Sequence, residues 1–415
     1  MTMRSAAAGP RRPGDGAVLI VVSGVWGGFW GVWSALLPAV LEHDHTTPAD
    51  LGLVLAAVPI GAIPAMAIAG RLAAGRESRA LAAALAVMAV AAALLGLVPG
   101  LVGLSIALLL LGAASGGVDV CMNMAIARHE RTAGVRLFQR AHPAFPVAQI
   151  VAAPAAGLGR QLGLPLPVIL AAPAASLAAV GVLAVGLGAG PRSRAEPEPA
   201  SGPRPRPADR GLRRALMLWG MALGALGGTA LIIDNATEHW SVLLLQTAHG
   251  APPVLASMAP SVFMASMTVG RLVAQKVPAI RIHHLLYAAA VAGCGGMALA
   301  ASAPTTWGSL LGFAVSGLTV GPVMPALLGH AGRQDASGVL VSIVSATSYG
   351  GFVISPALIG TLSRWMPLPD ALTCLAVLAL PLAAAAVGSR LPALARWTAP
   401  PGGAPAPARG ALVPR

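Results

Sequence analysis

Charge is scarce in this chain. Only 10% of its 415 residues are Asp, Glu, Lys or Arg, against roughly 25% in soluble domains, and this shortage excludes an ordinary water-soluble fold. Lysine is nearly missing: Lys276 is the single one among 27 basic residues. With the excess of Ala, Gly and Pro it reads as a GC-rich coding bias and carries no mechanism. Cysteine is equally sparse. Cys121, Cys294 and Cys374 fall in three different apolar runs with no CxxC pair, which argues against a disulfide framework or a metal site and leaves them as packing residues. There is no G-x-x-x-x-G-K-[ST] loop, so no ATP-binding engine is encoded, and no HExxH or GxSxG, so hydrolysis has no visible apparatus. The expectation is a protein that is not an enzyme and needs neither cofactor nor metal.

What the chain does have is apolar sequence. It is 56% hydrophobic, with a mean hydropathy of +0.77. Runs of about 20 apolar residues, the length that spans a bilayer, recur at Ala17–Leu41, Leu51–Ala69, Ala80–Val98, Leu101–Ala127, Ala144–Gly159 and Leu166–Gly188. Six more follow at Ala215–Asp234, Val254–Val273, His284–Ala301, Thr305–Leu328, Gly338–Leu362 and Ala371–Val387. The fifth is short and is expected to extend back toward His142. The first follows a basic segment but is too long for a signal peptide, so it reads as a retained helix.

The net charge of +13 invites a nucleic-acid reading, and its distribution argues against one. With the N-terminus in the cytoplasm, 25 of the 27 Lys and Arg residues fall in cytoplasmic segments, and the external loops hold Arg160 and Arg364 only. That is a strong positive-inside pattern. It places both termini in the cytoplasm and accounts for the basic balance by the membrane alone. The external loop Glu42–Asp50 has three carboxylates and no Lys or Arg, in agreement.

The segment 190–212 is dense in Pro and charge and reads as a cytoplasmic linker. It divides the chain into an N-terminal tail (1–16), a six-helix half (17–189), a second half (213–392) and a C-terminal tail (393–415). The final Leu412-Val413-Pro414-Arg415 matches what thrombin cleavage leaves, and is set aside. The halves look duplicated. Gly70-Arg71-Leu72 recurs as Gly270-Arg271-Leu272, Ser115-Gly116 as Ser316-Gly317, and Pro154-Ala155 as Pro356-Ala357, in order and at nearly constant offset. Many secondary transporters are built from such halves, with the site at the repeat interface near mid-membrane.

Asp119 lies nine residues before Arg128, roughly 13 Å along a helix. An ionisable group at that depth is costly and by default a functional candidate. Ser115, Asp119 and Asn123 share one helical face, which must look into the protein rather than lipid. A carboxyl there can take and release protons, or be a structural group held by a neighbouring helix. Its repeat counterpart is Val320, so the acid belongs to one half only. His142, Phe145 and Gln149 follow at helical spacing on the fifth run. Trp26 and Trp30 lie near the middle of the first run, too deep for an interfacial belt, which explains at most Trp33. They read as a cavity wall or as helix packing. Asp234 and Glu238 share a face if the seventh helix continues to Leu245, and are loop acids if it stops at Ile233. Ser342, Ser345, Ser348 and Tyr349 can face a cavity or pack against neighbours.

Six plus six helices, a basic central linker and the GRL loops resemble the major facilitator superfamily over residues 17–392. Arg71 and Arg271 stand in degenerate copies of its G-x-x-x-D-R-x-G-R loop motif, whose Asp falls here on Ala74. A narrower resemblance is to the fucose-permease-like and YbjJ-like branch. Gly117-Val118-Asp119-Val120-Cys121-Met122-Asn123 looks like its fourth-helix G-x-[DE]-x-x-x-N pattern, and Asp234 to Trp240-Ser241 like its seventh-helix pattern. Its first-helix acid falls near Ser34. Ala153-Pro154-Ala155-Ala156-Gly157 looks faintly like the Gly-Pro motif of the superfamily's drug antiporters.

The expectation is therefore an all-α polytopic membrane protein with twelve transmembrane helices in two pseudo-symmetric halves. It would be a monomer in a bacterial inner membrane that moves a small polar solute, with a sugar-like one among the candidates, together with protons. Asp119, Asn123 and Asp234 would serve coupling or substrate. Trp26, Trp30, Ser115, His142, Gln149, Ser345 and Tyr349 would line the cavity, and Arg71 and Arg271 would stand in gating loops. A proton-driven exporter of amphipathic compounds and a non-transporting membrane sensor are the alternatives.

Overall fold

The computed structural model describes residues 15–187, 210–277, 280–335 and 337–388, the side chains of 210–213 excepted. The expected linker up to residue 209, most of the N-terminal tail and all of the C-terminal tail lie outside them. Regular structure among the described residues is helical throughout. Long apolar runs leave no other solution, since in lipid every backbone N–H and C=O must be satisfied within its own segment.

The first six-helix half comprises α1 (Asp15–His43), α2 (Pro48–Leu72), α3 (Glu77–Leu94), α4 (Gly100–Ala133), α5 (Ala144–Gln161) and α6 (Leu166–Val185). The second comprises α7 (Arg210–His249), α8 (Pro253–Lys276), α9 (Ile282–Ser302), α10 (Thr306–Gln334), α11 (Val339–Leu362) and α12 (Leu368–Gly388). Among the described residues, eleven helices are long and apolar enough to cross a membrane. The remaining one, α5, is 18 residues long and carries Gln149, Arg160 and Gln161.

Proline shapes several of these helices. α2 breaks at Ala56 and α8 at Ser257. Each break lies three residues before a proline, Pro59 and Pro260, whose missing N–H and ring displace the carbonyl four residues back. The repeat is therefore visible as a defect at corresponding places in the two halves. α10 breaks at Gly321-Pro322. The expected extension of α5 toward His142 does not occur. Phe138–Ala141 forms a separate short helix and the chain turns at His142-Pro143, because Pro146 has no amide to give the His142 carbonyl. α7, by contrast, runs past Asp234 to His249. The apolar residues after the polar stretch carry it, with Trp240, Val242, Leu244 and Leu245 all fully buried. α4 continues beyond Arg128 to Ala133, where Gly134 (φ 68°) adopts the left-handed conformation and donates to the Glu130 carbonyl, as in a helix C-cap.

Packing repeats between the halves. α1 packs on α5 as α7 does on α11; α2 on α4 as α8 on α10; α3 on α6 as α9 on α12. The halves meet where α2 crosses α11, α5 crosses α8, and α1 faces α7. Two of these crossings are backbone-close. A Cβ on Gly52 would sit 2.5 Å from Gly360 Cα and from the Pro356 carbonyl oxygen. One on Gly157 would sit 2.5 Å from Ser257 Oγ and 2.7 Å from the Pro253 oxygen. Polar ties join them. The Ser261 hydroxyl donates to the Ile150 carbonyl at 2.8 Å, Arg160 donates to Gln246 Oε1 at 3.2 and 3.3 Å, and Arg364 lies 3.8 Å from Asp50. These contacts run from mid-protein to the end bearing the acidic α1–α2 loop, and they close that end.

At the opposite end, ties within each half prevail. Ala74 holds the place of the loop motif's Asp, and Glu77, at the start of α3, supplies a carboxylate instead. It pairs with Arg128 of α4 at 3.2 Å and accepts from the Gly75 amide at 2.9 Å. Breaking a largely buried pair leaves a charge uncompensated. Glu77→Ala and Arg128→Ala should therefore each lower the unfolding temperature in detergent, and the double variant should lose less than the sum. Strictly additive losses would rule the coupling out.

In the α10–α11 connection, Asp335 accepts from the Ser337 hydroxyl (2.6 Å) and amide (2.9 Å) and from the Leu340 amide (2.9 Å). Partial desolvation pushes its carboxyl up. The hydrogen bonds from Ser337 and from the amides of Leu340 and Val339 outweigh it, so its pKa lies below the ordinary 3.8. A depressed carboxyl stabilises the fold above its unfolded pKa and loses that contribution as pH falls through the folded one. Asp335→Asn should cost stability at pH 7 and make no difference near pH 2. An equal cost at both pH values would remove the charge from the explanation.

Candidate functional site

Between the halves lies a cavity of about 260 Å³. α1 contributes Trp26 and Trp30; α2 contributes an apolar wall from Leu55 to Met66; α4 contributes Ser115, Gly116 and Asp119; α5 contributes Phe145 and Gln149. From the second half come Asp234, Asn235, Glu238 and His239 on α7, Met264 on α8, and Tyr349, Phe352 and Pro356 on α11. Each set follows helical spacing. Asp234 and Glu238 are four apart, as are Phe145 and Gln149, while Tyr349, Phe352 and Pro356 fall at i, i+3 and i+7.

The polar groups are organised in pairs. Trp26 Nε1 donates to Ser115 Oγ at 2.9 Å, fixing α1 against α4, and its ring meets Phe145 edge-on at 4.8 Å. Asn123 Nδ2 donates to Asp119 Oδ1 at 2.8 Å. Gln149 Nε2 donates to Glu238 Oε1 at 3.1 Å, a hydrogen bond that crosses from one half to the other. His239 Nδ1 lies 2.9 Å from the Asn235 carbonyl oxygen. Several buried acceptor positions at the wall have no protein partner: Gln149 Oε1, Asn235 Oδ1 and His239 Nε2.

Most of the residues expected from sequence converge here. Trp26, Trp30, Ser115, Asp119, Gln149, Asp234 and Tyr349 all line the cavity. Asn123 stands one turn behind Asp119 as its hydrogen-bond partner. Three sets fall elsewhere. His142 is exposed in the turn before α5, its ring 5.4 Å from Phe138. Ser345 is half-buried and outside the cavity, because α11 presents its aromatic stripe there and uses serines for packing: Ser348 donates to the Gly224 carbonyl and Ser355 to that of Ile232. Arg71 is exposed at the end of α2, while Arg271 lies within α8 and donates to the Gly321 carbonyl at 3.1 Å, bracing the break in α10. Trp33 is fully buried and so belongs to packing rather than to an interfacial belt.

Sequence reasoning did not anticipate Asn235, His239, Met264, Phe352 or the α2 wall, and left Glu238 undecided. The signal was present in the apolar residues after His239, which let α7 continue and carry both acids inward. Removing the N–H of Trp26 tests the α1–α4 brace: Trp26→Phe should cost about 1 kcal/mol, read as a fall in unfolding temperature. Combining it with Ser115→Ala should add little, and a full additive loss would show that the two side chains act separately.

Comparisons with known proteins agree with this architecture. The model of the Major Facilitator Superfamily matches residues 18–356. An uncharacterised MFS-type transporter of Yersinia pestis is 30% identical over 358 residues, 85% of this chain and 90% of that one. The membrane protein MosC of Rhizobium meliloti is 25% identical over 362 residues, 86% of this chain and 85% of that one. Among solved structures, the nucleoside transporter NupG superimposes with a TM-score of 0.71 at 16% identity, covering 90% of this chain and 98% of its own. The inward-open xylose transporter XylE from E. coli gives 0.67 at 12% identity, covering 90% and 94%. At such identities these structures establish the fold alone.

Proposed function

Because the chain belongs to the major facilitator superfamily, we propose that it is a proton-coupled secondary transporter of a bacterial plasma membrane. In this reading it moves a small solute by alternating access of the central cavity. The observation that carries the reading is the Gln149–Glu238 hydrogen bond. It sits at the cavity wall, joins the two halves, and depends on a carboxyl that can gain or lose a proton. With Asp119 on one half and Asp234 and Glu238 on the other, proton occupancy bears directly on whether the halves hold together. With the termini in the cytoplasm, the closed end is external and the cavity empties inward.

A sugar-like solute needs interleaved donors and acceptors on every side. The wall here is mostly apolar, built from Trp, Phe, Met, Ile, Leu, Val, Ala and Pro, with most of its polar groups gathered on α4, α5 and α7. That composition fits an amphipathic solute better than a polyhydroxylated one, which favours the exporter reading within transport.

The test is flux in sealed proteoliposomes under an imposed pH gradient, with amphipathic compounds, sugars and nucleosides as the panel. Gradient-dependent movement of at least one solute is expected, abolished by a protonophore. Binding without flux across the whole panel would identify a sensor instead.

A further inference from the structure

We infer that the solute is an organic cation carrying N–H donors, an ammonium or guanidinium attached to a flat apolar body; this rests on the transport reading only for its being carried, not for its being bound. Two independent observations point to it.

The first is the balance of hydrogen-bonding groups. Three carboxyls reach the cavity, from Asp119, Asp234 and Glu238. Beside them stand unpartnered acceptors on side chains more than nine-tenths buried: Gln149 Oε1 (2% exposed), Asn235 Oδ1 (6%) and His239 Nε2 (4%). The His239 tautomer follows from its neighbour. The Asn235 carbonyl can only accept, so Nδ1 carries the hydrogen and Nε2 is left bare. The Gln149 amide commits one N–H to Glu238 and the Trp26 indole its single N–H to Ser115. The donors at the wall on Trp30, Asn235 and Tyr349 are neutral, and no Lys or Arg is among the lining residues. Arg271 lies within electrostatic reach of Asp234, and His142 of Asp119, both from outside the cavity. A buried acceptor without a donor is costly, and a bound group with several N–H bonds satisfies several at once.

The second observation is the aromatic wall. Trp26, Trp30, Phe145, Tyr349 and Phe352 come from three helices to one space. Ring faces attract a cation as well as an apolar surface, most strongly where water is excluded. A neutral sugar can donate its hydroxyls to these acceptors, but it brings acceptors of its own for which the wall offers few donors. An anion is opposed by each of the three carboxyls that is ionised.

Binding to the purified protein by titration calorimetry tests this with phenethylamine, its neutral counterpart 2-phenylethanol, and tetraphenylphosphonium, a cation without N–H. Charge-assisted hydrogen bonds are roughly twice as strong as neutral ones, so phenethylamine should bind at least about tenfold more tightly than the alcohol. It should also bind more tightly than the phosphonium, and the Glu238→Gln variant should lose that preference. Equal binding of the alcohol, equal binding of the phosphonium, or no binding of phenethylamine would each overturn the inference, and none of these comparisons needs a variant to fold. Xylose and uridine in the flux assay separate the two claims. If either moves and phenethylamine neither binds nor moves, transport stands and the cation assignment falls. If phenethylamine binds with the stated preference but nothing moves, the cation site stands and the transport reading falls.

Discussion

Replacing Asp119 with Asn is expected to abolish accumulation driven by a pH gradient while leaving exchange of labelled for unlabelled solute intact. One pH unit is worth about 1.36 kcal/mol per proton, so a one-to-one carrier sustains roughly a tenfold concentration ratio across it. With Asn in place, that ratio should fall to about one. The argument rests on geometry. Asp119 is anchored by Asn123 at 2.8 Å and faces the cavity at the level of Ser115. Asn keeps the shape and the hydrogen-bonding reach but carries no titratable proton. Glu238→Gln tests the other half. Its amide can still meet Gln149, so the cross-half bond persists without responding to protons. Both variants should refold to the unfolding temperature of the parent within a few degrees. Gradient-driven uptake that survives in both would remove proton coupling from these carboxyls.

The second large effect is steric. Gly52→Leu is expected to stop transport, by more than about tenfold, without unfolding the protein. A Cβ at this position meets Gly360 Cα and the Pro356 carbonyl, both backbone atoms that cannot turn aside. α2 and α11 must therefore separate, and with them the closed end of the cavity. Each half keeps its own packing, since Gly52 contacts the opposite half. The displaced state is readable by cysteine labelling. With Cys121, Cys294 and Cys374 replaced by Ser, a Met264→Cys reporter in the cavity should be shielded from a membrane-impermeant maleimide added at the closed end. With Gly52→Leu it should react there. Shielding that persists alongside intact transport would show that this crossing does not gate access.

The all-helical membrane fold was legible because its cause is local. Apolar runs of spanning length and the one-sided placement of Arg specify helices and their alternation without long-range information. The duplication was legible too, through the GRL and Ser-Gly pairs. Of the site, the part carried by one helix face was readable: Ser115, Asp119 and Asn123 stand on consecutive turns of α4. What was not readable depended on tertiary context. The stretch from Asp234 to His239 reads either as the end of a span or as the middle of one, and the burial of Trp240 to Leu245 against other helices decides for the middle. His142 sits at a spacing that continues α5, yet two prolines end the helix before it. Ser345 shares the register of Tyr349, but its depth along α11 takes it beyond the cavity. Gly52 and Gly360 lie about three hundred residues apart, and nothing local to either announces that they touch.

The break in α2 has a mechanical meaning. The short outer segment Pro48–Leu55 rests on α11 of the opposite half, while Ala57–Leu72 rests mainly on α4 of its own. The joint between them falls where Pro59 has already removed a backbone hydrogen bond. Flexing there works on a ladder that is already weak, in which the Ile60 amide spans the joint to the Ala56 carbonyl at 3.3 Å. The outer segment can follow one half as the inner follows the other, so the helix works as an articulated lever with its pivot beside the cavity. An unbroken α2 would transmit the same motion only by tearing its own ladder.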